Sequence, residues 1–538
     1  MSKAQYQAGG LIGLCMTCLC GAAASGQMYQ AAIGSINFET INDIIATRDC
    51  GFQVVGREQS PALNTRFATA RLDANGNVLW ARSYALVTGT ATIGHTVFES
   101  VSSGDLFLGG ESPLTPIAPT RRKHIMRVDP AGTQLWSILL PGQSGLGSIA
   151  PTTPGLGVSV AEVADQRVAS ISRITNVNAV IRVGVLSVVD RNGNLAYSKR
   201  YIPAGGDSTE LDFAQVRAAK FPKNTTDMLV VGNINSGTGV YGAFAMRTDA
   251  SGNVLWAFEY QHEDGGISIT ADGFALDSRG NILFSGRRGP AIPNQLSPTQ
   301  GIVGKIDATT GSPIWATNLD GFLNGYQAIA ATAEDGLIVA GDYKPGPNQT
   351  NASVVAVDSS GAVIQQRVYG SSVLNAVVHA NAVVNASPWG GYAIAGVTDE
   401  FGHGGTFDNL LIKTNPFLES GCHEDRVDPN PVSVKLNEKE RFPQTVEDPA
   451  YLQQPALEVV LSWGPIFDCF RPLCLGDLNG DFLVDDADFV MFAGAYDILV
   501  CPTNPALTCC PADLNHDGLV DDADFVLFAA AYDALLCP

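Results

Sequence analysis

A short pattern repeats along most of this chain and limits what the chain can fold into. An Asp opens the pattern, a turn containing Gly follows, and an aromatic residue closes most copies. Six copies begin, at nearly regular intervals, at Asp73, Asp129, Asp190, Asp249, Asp307 and Asp358. A seventh, degenerate copy is expected at residues 413–415. A sequence that repeats at a regular period builds one structural unit per repeat.

A second marker keeps the same period: a short apolar run that ends in Gly. The runs end at Gly56, Gly109, Gly232, Gly286, Gly341 and Gly396, whereas the third unit has DQRVASIS around Val168 and lacks the Gly. Within each unit, β-rich runs are separated by Gly, Asn, Asp and Ser turns, which is typical of hairpins. The pattern predicts about four strands per unit.

We therefore predict a mostly β protein whose body, residues 27–422, is a seven-bladed β-propeller. The blades are expected at about 36–84, 95–140, 155–201, 211–260, 266–319, 325–370 and 375–422. Residues 31–38 should complete the last blade, because closing the ring removes exposed sheet edges. An open β-solenoid or an array of β-sandwiches is the alternative.

The copy at residues 307–315, DATTGSPIW, resembles the blade repeat of quinoprotein-type propellers. The resemblance covers the blade scaffold only. Quinoprotein dehydrogenases carry a vicinal cysteine pair over their cofactor, and here the vicinal pair, Cys509-Cys510, lies outside the propeller, so no such cofactor is expected. The closing tryptophans are predicted to be core residues: Trp80, Trp136, Trp256 and Trp315.

Residues 1–26 have the order of a secretory signal peptide. Lys3 precedes an apolar run from Leu11 to Cys20, and small residues follow. The run is too short to span a bilayer, although a membrane anchor is the alternative. We expect an extracellular or cell-surface protein without a transmembrane segment after cleavage. The eight cysteines that remain are expected in disulfides, with Cys422 and Cys469 as one candidate pair: Cys50, Cys422, Cys469, Cys474, Cys501, Cys509, Cys510 and Cys537.

Two near-copies of an acidic loop lie near the C-terminal end, at residues 477–488 and 513–524. Calcium takes six to eight oxygen ligands, which an EF-hand-type loop supplies from positions 1, 3, 5, 7, 9 and 12. The first loop offers Asp477, Asn479, Asp481, the Leu483 carbonyl, Asp485 and Asp488. The second offers Asp513, Asn515, Asp517, the Leu519 carbonyl, Asp521 and Asp524. Residues 474–538 contain twelve Asp and no Glu, Lys or Arg. The carboxylates of each loop should therefore repel one another when no cation is bound.

An Asp at position 12 and a single helix after each loop resemble the type I dockerin module, over residues 474–538. The resemblance implies a cohesin-like partner or another cell-surface component, chosen through positions 10 and 11: Asp486, Ala487, Asp522 and Ala523. The two helices should pack through one apolar face each: Phe489, Phe492 and Tyr496 against Phe525, Phe528 and Tyr532. Phe482 stands where the first loop should have Gly, so the second calcium site is the more reliable. A calcium-stabilised tail without a cohesin is the alternative.

Residues 423–473 separate the two parts. They are rich in Pro and charged residues and are expected to form a linker, with Leu457 to Phe470 as one possible extra strand.

No catalytic motif is present, so whether the chain is an enzyme stays open. His262-Glu263-Asp264 and Asp399-Glu400 with His403 could form sites, although solvated loop charge is the expected interpretation. A net charge of −21 argues against nucleic acid as a partner. In one hypothesis the tail tethers a non-catalytic propeller that binds or displays a glycan or protein. In the other, the propeller belongs to a secreted polysaccharide-degrading enzyme, a glycoside hydrolase or lyase.

Overall fold

The structure is a computed structural model of the 538-residue chain. The residues that it describes are 28–35, 37–59, 65–85, 92–113, 121–140, 159–163, 167–176, 181–202, 210–220, 226–235, 239–290, 300–320, 326–346, 349–370, 377–386, 391–400, 407–427, 430–441, 443–447, 452–453, 457–461, 463–471, 476–478, 483–497, 512–514 and 519–534. The signal peptide prediction therefore lies outside the described residues.

The described strands form seven antiparallel sheets, one for each repeat unit, as the sequence predicts. After β1 (Met28–Gly34), the chain builds each blade from its innermost strand outwards. Blade 1 is β2 (Phe38–Ala46), β3 (Phe52–Gln59), β4 (Thr65–Leu72) and β5 (Val78–Ala85). Blade 2 is β6 (Ile93–Glu99), β7 (Leu106–Pro113), β8 (Arg121–Val128) and β9 (Gln134–Leu139). Blade 3 is β10 (Ser159–Val163), β11 (Arg167–Asn176), β12 (Ile181–Val189) and β13 (Leu195–Ile202).

Blade 4 is β14 (Glu210–Ala218), β15 (Met228–Asn235), β16 (Tyr241–Thr248) and β17 (Val254–His262). In blade 5 the inner strand is split into β18 (Ile267–Ile269) and β19 (Gly273–Leu276), followed by β20 (Ile282–Pro290), β21 (Gln300–Ile306) and β22 (Pro313–Asp320). Blade 6 is β23 (Tyr326–Ala331), β24 (Leu337–Gly346), β25 (Gln349–Val357) and β26 (Val363–Tyr369). Blade 7 is β27 (Val378–Asn385), β28 (Tyr392–Thr398) and β29 (Asp408–Lys413).

The ring closes through the N-terminal strand. β1 pairs with β29, from Tyr29 opposite Lys413 to Ile33 opposite Asn409, and becomes the fourth strand of blade 7. The expectation that residues 31–38 complete the last blade is thus confirmed for residues 31–34.

Residues 424–471, which we call the belt, correct the prediction of a linker with one extra strand. The described residues of the belt form seven strands: β30 (Glu424–Arg426), β31 (Asn430–Val434), β32 (Leu436–Glu440), β33 (Gln444–Glu447), β34 (Leu452–Gln453), β35 (Leu457–Val460) and β36 (Gly464–Arg471). Each pairs with the outermost strand of one blade, in the order 6, 5, 4, 3, 2, 1 and 7. Their partners are sheet edges far away in the sequence, so short polar runs such as Asn437 to Glu440 carry no local signal of a strand.

The repeated Asp builds the hairpin between the third and fourth strands of blades 1 to 6. The Asp73 carboxylate accepts hydrogen bonds from the backbone N–H groups of Asn75 (2.9 Å) and Asn77 (2.8 Å), and Gly76 takes a φ of 81° that favours Gly. The seventh copy follows the same plan. Asn415 accepts from the N–H groups of Phe417 and Glu419, and Leu418 adopts the positive φ of 59°.

The closing aromatic fastens one blade to the next. The Trp80 indole donates to the carbonyl of Pro130 (3.1 Å) in the turn of blade 2. The indoles of Trp136, Trp256 and Trp315 each donate in the same way to a carbonyl in the corresponding turn of the following blade. Of the four predicted core tryptophans, Trp256 is buried in a core, and the other three are half-buried and pack against cores. Fully buried tyrosines, absent from the sequence prediction, reach the same turns: Tyr84, Tyr201, Tyr260 and Tyr369.

The Gly that ends the second-strand run faces a β-bulge in the inner strand. A Cβ on Gly56 would lie 1.8 Å from the Thr40 carbonyl oxygen, next to the bulge between Ile41 and Asp43. Gly232 and Gly396 lie against the same kind of bulge. In blade 2 the residue that lies against the bulge is Gly110, one residue beyond the predicted Gly109. Blade 3 lacks the Gly, and its described inner strand pairs without a shift in register.

The residues that the structure describes after the belt include two helices, α1 (Asp486–Tyr496) and α2 (Asp522–Ala534). They pack as predicted, with the rings of Phe492 and Phe528 stacked at 4.8 Å between centroids. Phe489 with Phe528 (6.2 Å) and Phe492 with Phe525 (6.1 Å) repeat one contact across a pseudo-twofold axis. No helix in the described ranges is long and apolar enough to cross a membrane.

Candidate functional site

The two acidic loops each lead into a helix. In the first loop the structure describes Asp477, Leu478 and residues 483–488, and in the second Asp513, Leu514 and residues 519–524. The predicted ligands Asn479, Asp481, Asn515 and Asp517 lie outside the described residues, and so does Phe482.

The last carboxylate of each loop is buried. Asp488 and Asp524 are both 0% exposed. The Asp488 carboxylate accepts hydrogen bonds from the N–H groups of Leu478 (2.7 Å) and Asp485 (3.0 Å), and so ties the start of the loop to its end. In the second loop Asp524 accepts from Asp521 (3.0 Å). Position 12 is where an EF-hand-type loop closes on its cation, so both carboxylates stand where a ligand is needed.

Within the described residues, no group of three or more His, Cys, Asp or Glu side chains could hold a metal ion. The described part of each loop contributes positions 1, 7, 9 and 12, and the remaining oxygen donors lie among residues not described. The donors that are present are carboxylate and carbonyl oxygens, the ligands that suit calcium. The residues in place therefore fit a calcium loop.

The two halves of this C-terminal module are joined by reciprocal side-chain hydrogen bonds. The Tyr496 hydroxyl donates to Asp522, and at the equivalent position of the second half the Tyr532 hydroxyl donates to Asp486. These bonds raise the pKa of both tyrosines. The structure thus places Asp486 and Asp522, two of the four predicted partner-binding residues, in contacts between the halves. Ala487 and Ala523 are exposed.

Beside these residues the module exposes apolar side chains in symmetric pairs. The residues are at least 44% exposed and fall into two sets, Leu483, Phe489 and Val490 in the first half and Leu519, Phe525 and Val526 in the second. The sequence prediction placed Phe489 and Phe525 on the packed face, where their rings make tilted contacts with Phe528 and Phe492 but stay 44% exposed. Exposed apolar pairs of this kind are typical of a protein-binding surface.

The propeller has two unlike faces. Hairpins between first and second strands and between third and fourth strands share one face, which we call the turn face. The strand ends that the other connections join lie at the opposite face, which we call the loop face, and the longest of these connections in sequence joins Leu139 to Ser159. Long connections on a rigid scaffold are where binding and catalytic residues concentrate.

A central channel of about 560 Å³ is lined by inner strands of all seven blades. Asp43 of blade 1 accepts from the N–H of Val97 (3.0 Å), and burial raises its pKa. Arg217 of blade 4 attracts Asp43 electrostatically and donates to the Val216 carbonyl (3.0 Å) and the Gln215 side chain (3.3 Å). Burial lowers the pKa of Arg217, and Asp43 opposes that shift. Opposite charges inside the channel can bind a polar ligand.

A second polar group lies toward the loop face, between blades 6 and 7. His379 Nδ1 is 2.9 Å from Asp342 Oδ2, and the imidazole is 23% exposed. Burial acts to lower the pKa of His379, but the hydrogen bond and charge of Asp342 outweigh it, so the pKa is raised. The Asp399 carboxylate accepts from the Val377 N–H (2.6 Å) nearby. Asp342 and His379 were missed by the sequence prediction, because they come from different blades. His403, predicted beside Asp399, lies outside the described residues.

The other predicted histidine site is a structural contact. His262 is 3% exposed, and its Nδ1 accepts from the Asp264 N–H (3.1 Å). The Nε2 of His262 lies 3.4 Å from the Asn318 amide, and burial lowers the pKa of the imidazole. The backbone of His262 pairs with Leu436 of the belt. His262 therefore stabilises the outer edge of blade 4.

No family model and no curated protein matches the sequence. Solved structures give weak likenesses. An ulvan lyase of a new polysaccharide lyase family is 10% identical, with a TM-score of 0.41, and 73% of this chain and 96% of that chain are covered. The α-L-arabinanase of Penicillium chrysogenum is 11% identical, with a TM-score of 0.37 and coverage of 62% and 95%. Such values carry no functional inference. The strand pairing of this chain itself defines a seven-bladed β-propeller, followed by a helical module.

Proposed function

We propose that the C-terminal module binds two calcium ions and, so ordered, attaches a non-catalytic propeller to a protein partner outside the cell. The observation that carries this proposal is the complete burial of Asp488 and Asp524 in a segment with no Lys or Arg. Burying a carboxylate costs several kcal/mol unless a cation or hydrogen bonds compensate it. Backbone N–H groups supply part of that compensation, and calcium would supply the rest.

The partner would bind the exposed apolar pairs, with Ala487 and Ala523 at the same surface. A cohesin-like protein or another cell-surface component is the class we propose, from the dockerin resemblance of the two loops. The propeller would bind or display a glycan or protein through its loop face. Export by a signal peptide at residues 1–26 belongs to the same proposal.

Calcium titration of the purified protein by calorimetry tests the metal sites. We expect two ions per chain for the native sequence and one ion for each of Asp488→Asn and Asp524→Asn. The matched control is Asp533→Asn, which removes one negative charge from an exposed position of α2 and should keep both ions. Two ions in both loop variants would contradict the proposal.

A second candidate function, a polysaccharide-degrading enzyme, is favoured by the pair of His379 and Asp342. A carboxylate that holds Nδ1 leaves Nε2 available to accept or donate a proton. A screen for products released from soluble polysaccharides tests it, with His379→Gln beside the native protein. Release by the native protein that falls at least a hundredfold in His379→Gln would establish the enzyme, and no release from any substrate would leave the binding role.

A further inference from the structure

The belt begins and ends at neighbouring blades, 6 and 7. Its first strand, β30, follows directly after blade 7 and pairs with blade 6, and its last strand, β36, pairs with β1 of blade 7. Between them it visits the remaining blades in the reverse of chain order. The chain thus circles the propeller twice, once inside to build the blades and once outside, in the opposite direction, along their edges.

The two ends of the belt meet at Gln30, in the middle of β1. The buried Gln30 amide donates to the Cys422 carbonyl and to the Ser420 hydroxyl (3.1 Å). On the neighbouring strand, the residue paired with Gln30 is Cys469. Paired residues on adjacent antiparallel strands place their side chains on one face of the sheet, about 5 Å apart. The register therefore puts Cys469 on the face of blade 7 that Cys422 approaches.

We propose that Cys422 and Cys469 form a disulfide that closes the belt into a covalent loop around the propeller. Cys422 is 4% exposed and is disulfide-bonded. The side chain of Cys469 lies outside the described residues, so the pairing is inferred from the backbone register. The bond forms by oxidation of two thiols, with two electrons and two protons passing to a disulfide oxidant in the compartment where the protein folds.

The loop acts where the ring is weakest. Six blades are continuous in sequence, whereas blade 7 joins β1, at the start of the propeller sequence, to β29 at its end. Closing so long a segment costs the most chain entropy, so the ring opens most readily between β1 and β29. β36 covers β1 from outside, and Trp463 beside it is buried in the same core as Tyr29 and Ile33. A belt closed at both ends cannot peel away from β1 without breaking strand pairs elsewhere.

Contacts along the belt keep it from slipping. The Arg441 guanidinium lies 2.8 Å from Glu259 of blade 4, whose side chain is fully buried, and the Arg441 N–H donates to the Ala257 carbonyl (2.8 Å). Leu461 donates in the same way to Ala81 of blade 1. The belt is thus fixed at several blades, and the disulfide joins its ends.

Peptide mapping of the native protein without reductant tests the bond itself. After digestion with free thiols blocked, we expect a cross-linked peptide pair that contains Cys422 and Cys469 and separates on reduction. A peptide that joins Cys422 to any other cysteine would overturn the proposal.

Hydrogen exchange measures the consequence for the ring. We expect the amides of β1 to exchange at least tenfold faster in Cys422→Ser, in Cys469→Ser and in the double variant, with equal effects because all three lack the same bond. Cys50→Ser, which under the proposal removes a different disulfide, is the control and should leave β1 unchanged. Equal acceleration in the control, or none in Cys422→Ser, would contradict the closed belt.

A variant that fails to fold would not report on the belt. The same exchange is therefore measured on native protein after mild reduction and alkylation of the folded chain. Alkylation at Cys422 and Cys469 without faster exchange in β1 would also overturn the proposal.

Discussion

The propeller and the C-terminal module compensate their buried charges in different ways. In the propeller, Arg127 lies against Asp105, with its Nε 2.9 Å from the carboxylate, and both side chains are about nine-tenths buried. The same pair recurs as Arg71 with Asp49, Arg247 with Asp227 and Lys305 with Asp277. In the module, Asp488 and Asp524 are buried within a segment that has no Lys or Arg.

Under the proposed function, this difference predicts that the module depends on a cation and the propeller does not. The propeller carries its own counter-charges two positions before the repeated Asp, so it should fold at any calcium concentration. The module has a single small core, formed jointly by both halves around Phe492 and Phe528. A core of that size gives little stability, so we expect the repulsion between carboxylates to decide whether the module folds without a cation.

Calcium removal should produce the largest effect and separates the two parts most clearly. With EDTA we expect the module to lose its helical signal and its thermal transition, while the transition of the propeller stays unchanged. Circular dichroism at 222 nm and calorimetry, with excess magnesium as the control, measure this. A single transition that is insensitive to EDTA would remove the distinction between the two regions.

Breaking one ion pair of the propeller should come second. Arg127→Met leaves Asp105 buried without its counter-charge, which costs about 3–5 kcal/mol in the free energy of unfolding. The melting temperature of the propeller should fall and that of the module should not. Arg279→Met is the matched control, because Arg279 is 81% exposed and 3.9 Å from Asp335. A surface pair of this kind contributes at most about 1 kcal/mol.

The sequence predicted the blades because their signals are local. Asp73 and its five counterparts form hydrogen bonds to N–H groups two to four positions away, so pattern and structure coincide within one turn. Asn415 could be recognised as the seventh copy for the same reason. The sequence showed the Gly of each second strand as a recurring marker. Only the fold shows why Gly is needed there, because a backbone carbonyl of the inner strand occupies the space that a Cβ would take.

The belt and the polar groups of the channel could not be predicted. The short belt strands pair with blade edges that are distant in the sequence, and their outward residues are polar, as in a linker. The pairs of Asp43 with Arg217 and of His379 with Asp342 join different blades, so no spacing in the sequence indicates them. In the two acidic loops, by contrast, the duplication itself indicated the candidate ligands.

A third prediction concerns the seam between blades 7 and 1, where carboxyl groups of the propeller cluster. Glu39 is fully buried beside Asp408 and Glu58, and burial raises its pKa from 4.5 to about 7 despite hydrogen bonds from Ser35. The folded state therefore holds the proton more tightly than the unfolded state. The stabilisation that protonated Glu39 gives to the folded state is complete below pH 4.5 and is lost as the pH rises through 7. The loss in the free energy of unfolding is up to about 3 kcal/mol.

Glu39→Gln tests this directly, because the amide stays neutral. Urea unfolding of the propeller at pH 5.5 and pH 8 should differ less in the variant than in the native protein, with the variant more stable at pH 8. Glu263→Gln, at an exposed loop position, is the control. An unchanged pH dependence in Glu39→Gln would show that the ring is not weakened by charge at this seam.

The smallest expected effect lies in the module and tests its symmetry. Tyr496→Phe and Tyr532→Phe each remove one hydroxyl that joins the two halves, to Asp522 and Asp486 respectively. Each is a single hydrogen bond at the surface of the module, so its net contribution to stability is small. Because the bonds are related by the pseudo-twofold axis, the two variants should lower the urea midpoint of the calcium-loaded module equally, and the propeller should not respond. Unequal losses would mean that one loop orders its half independently, which would make the halves differ in calcium affinity as Phe482 in the first loop suggests.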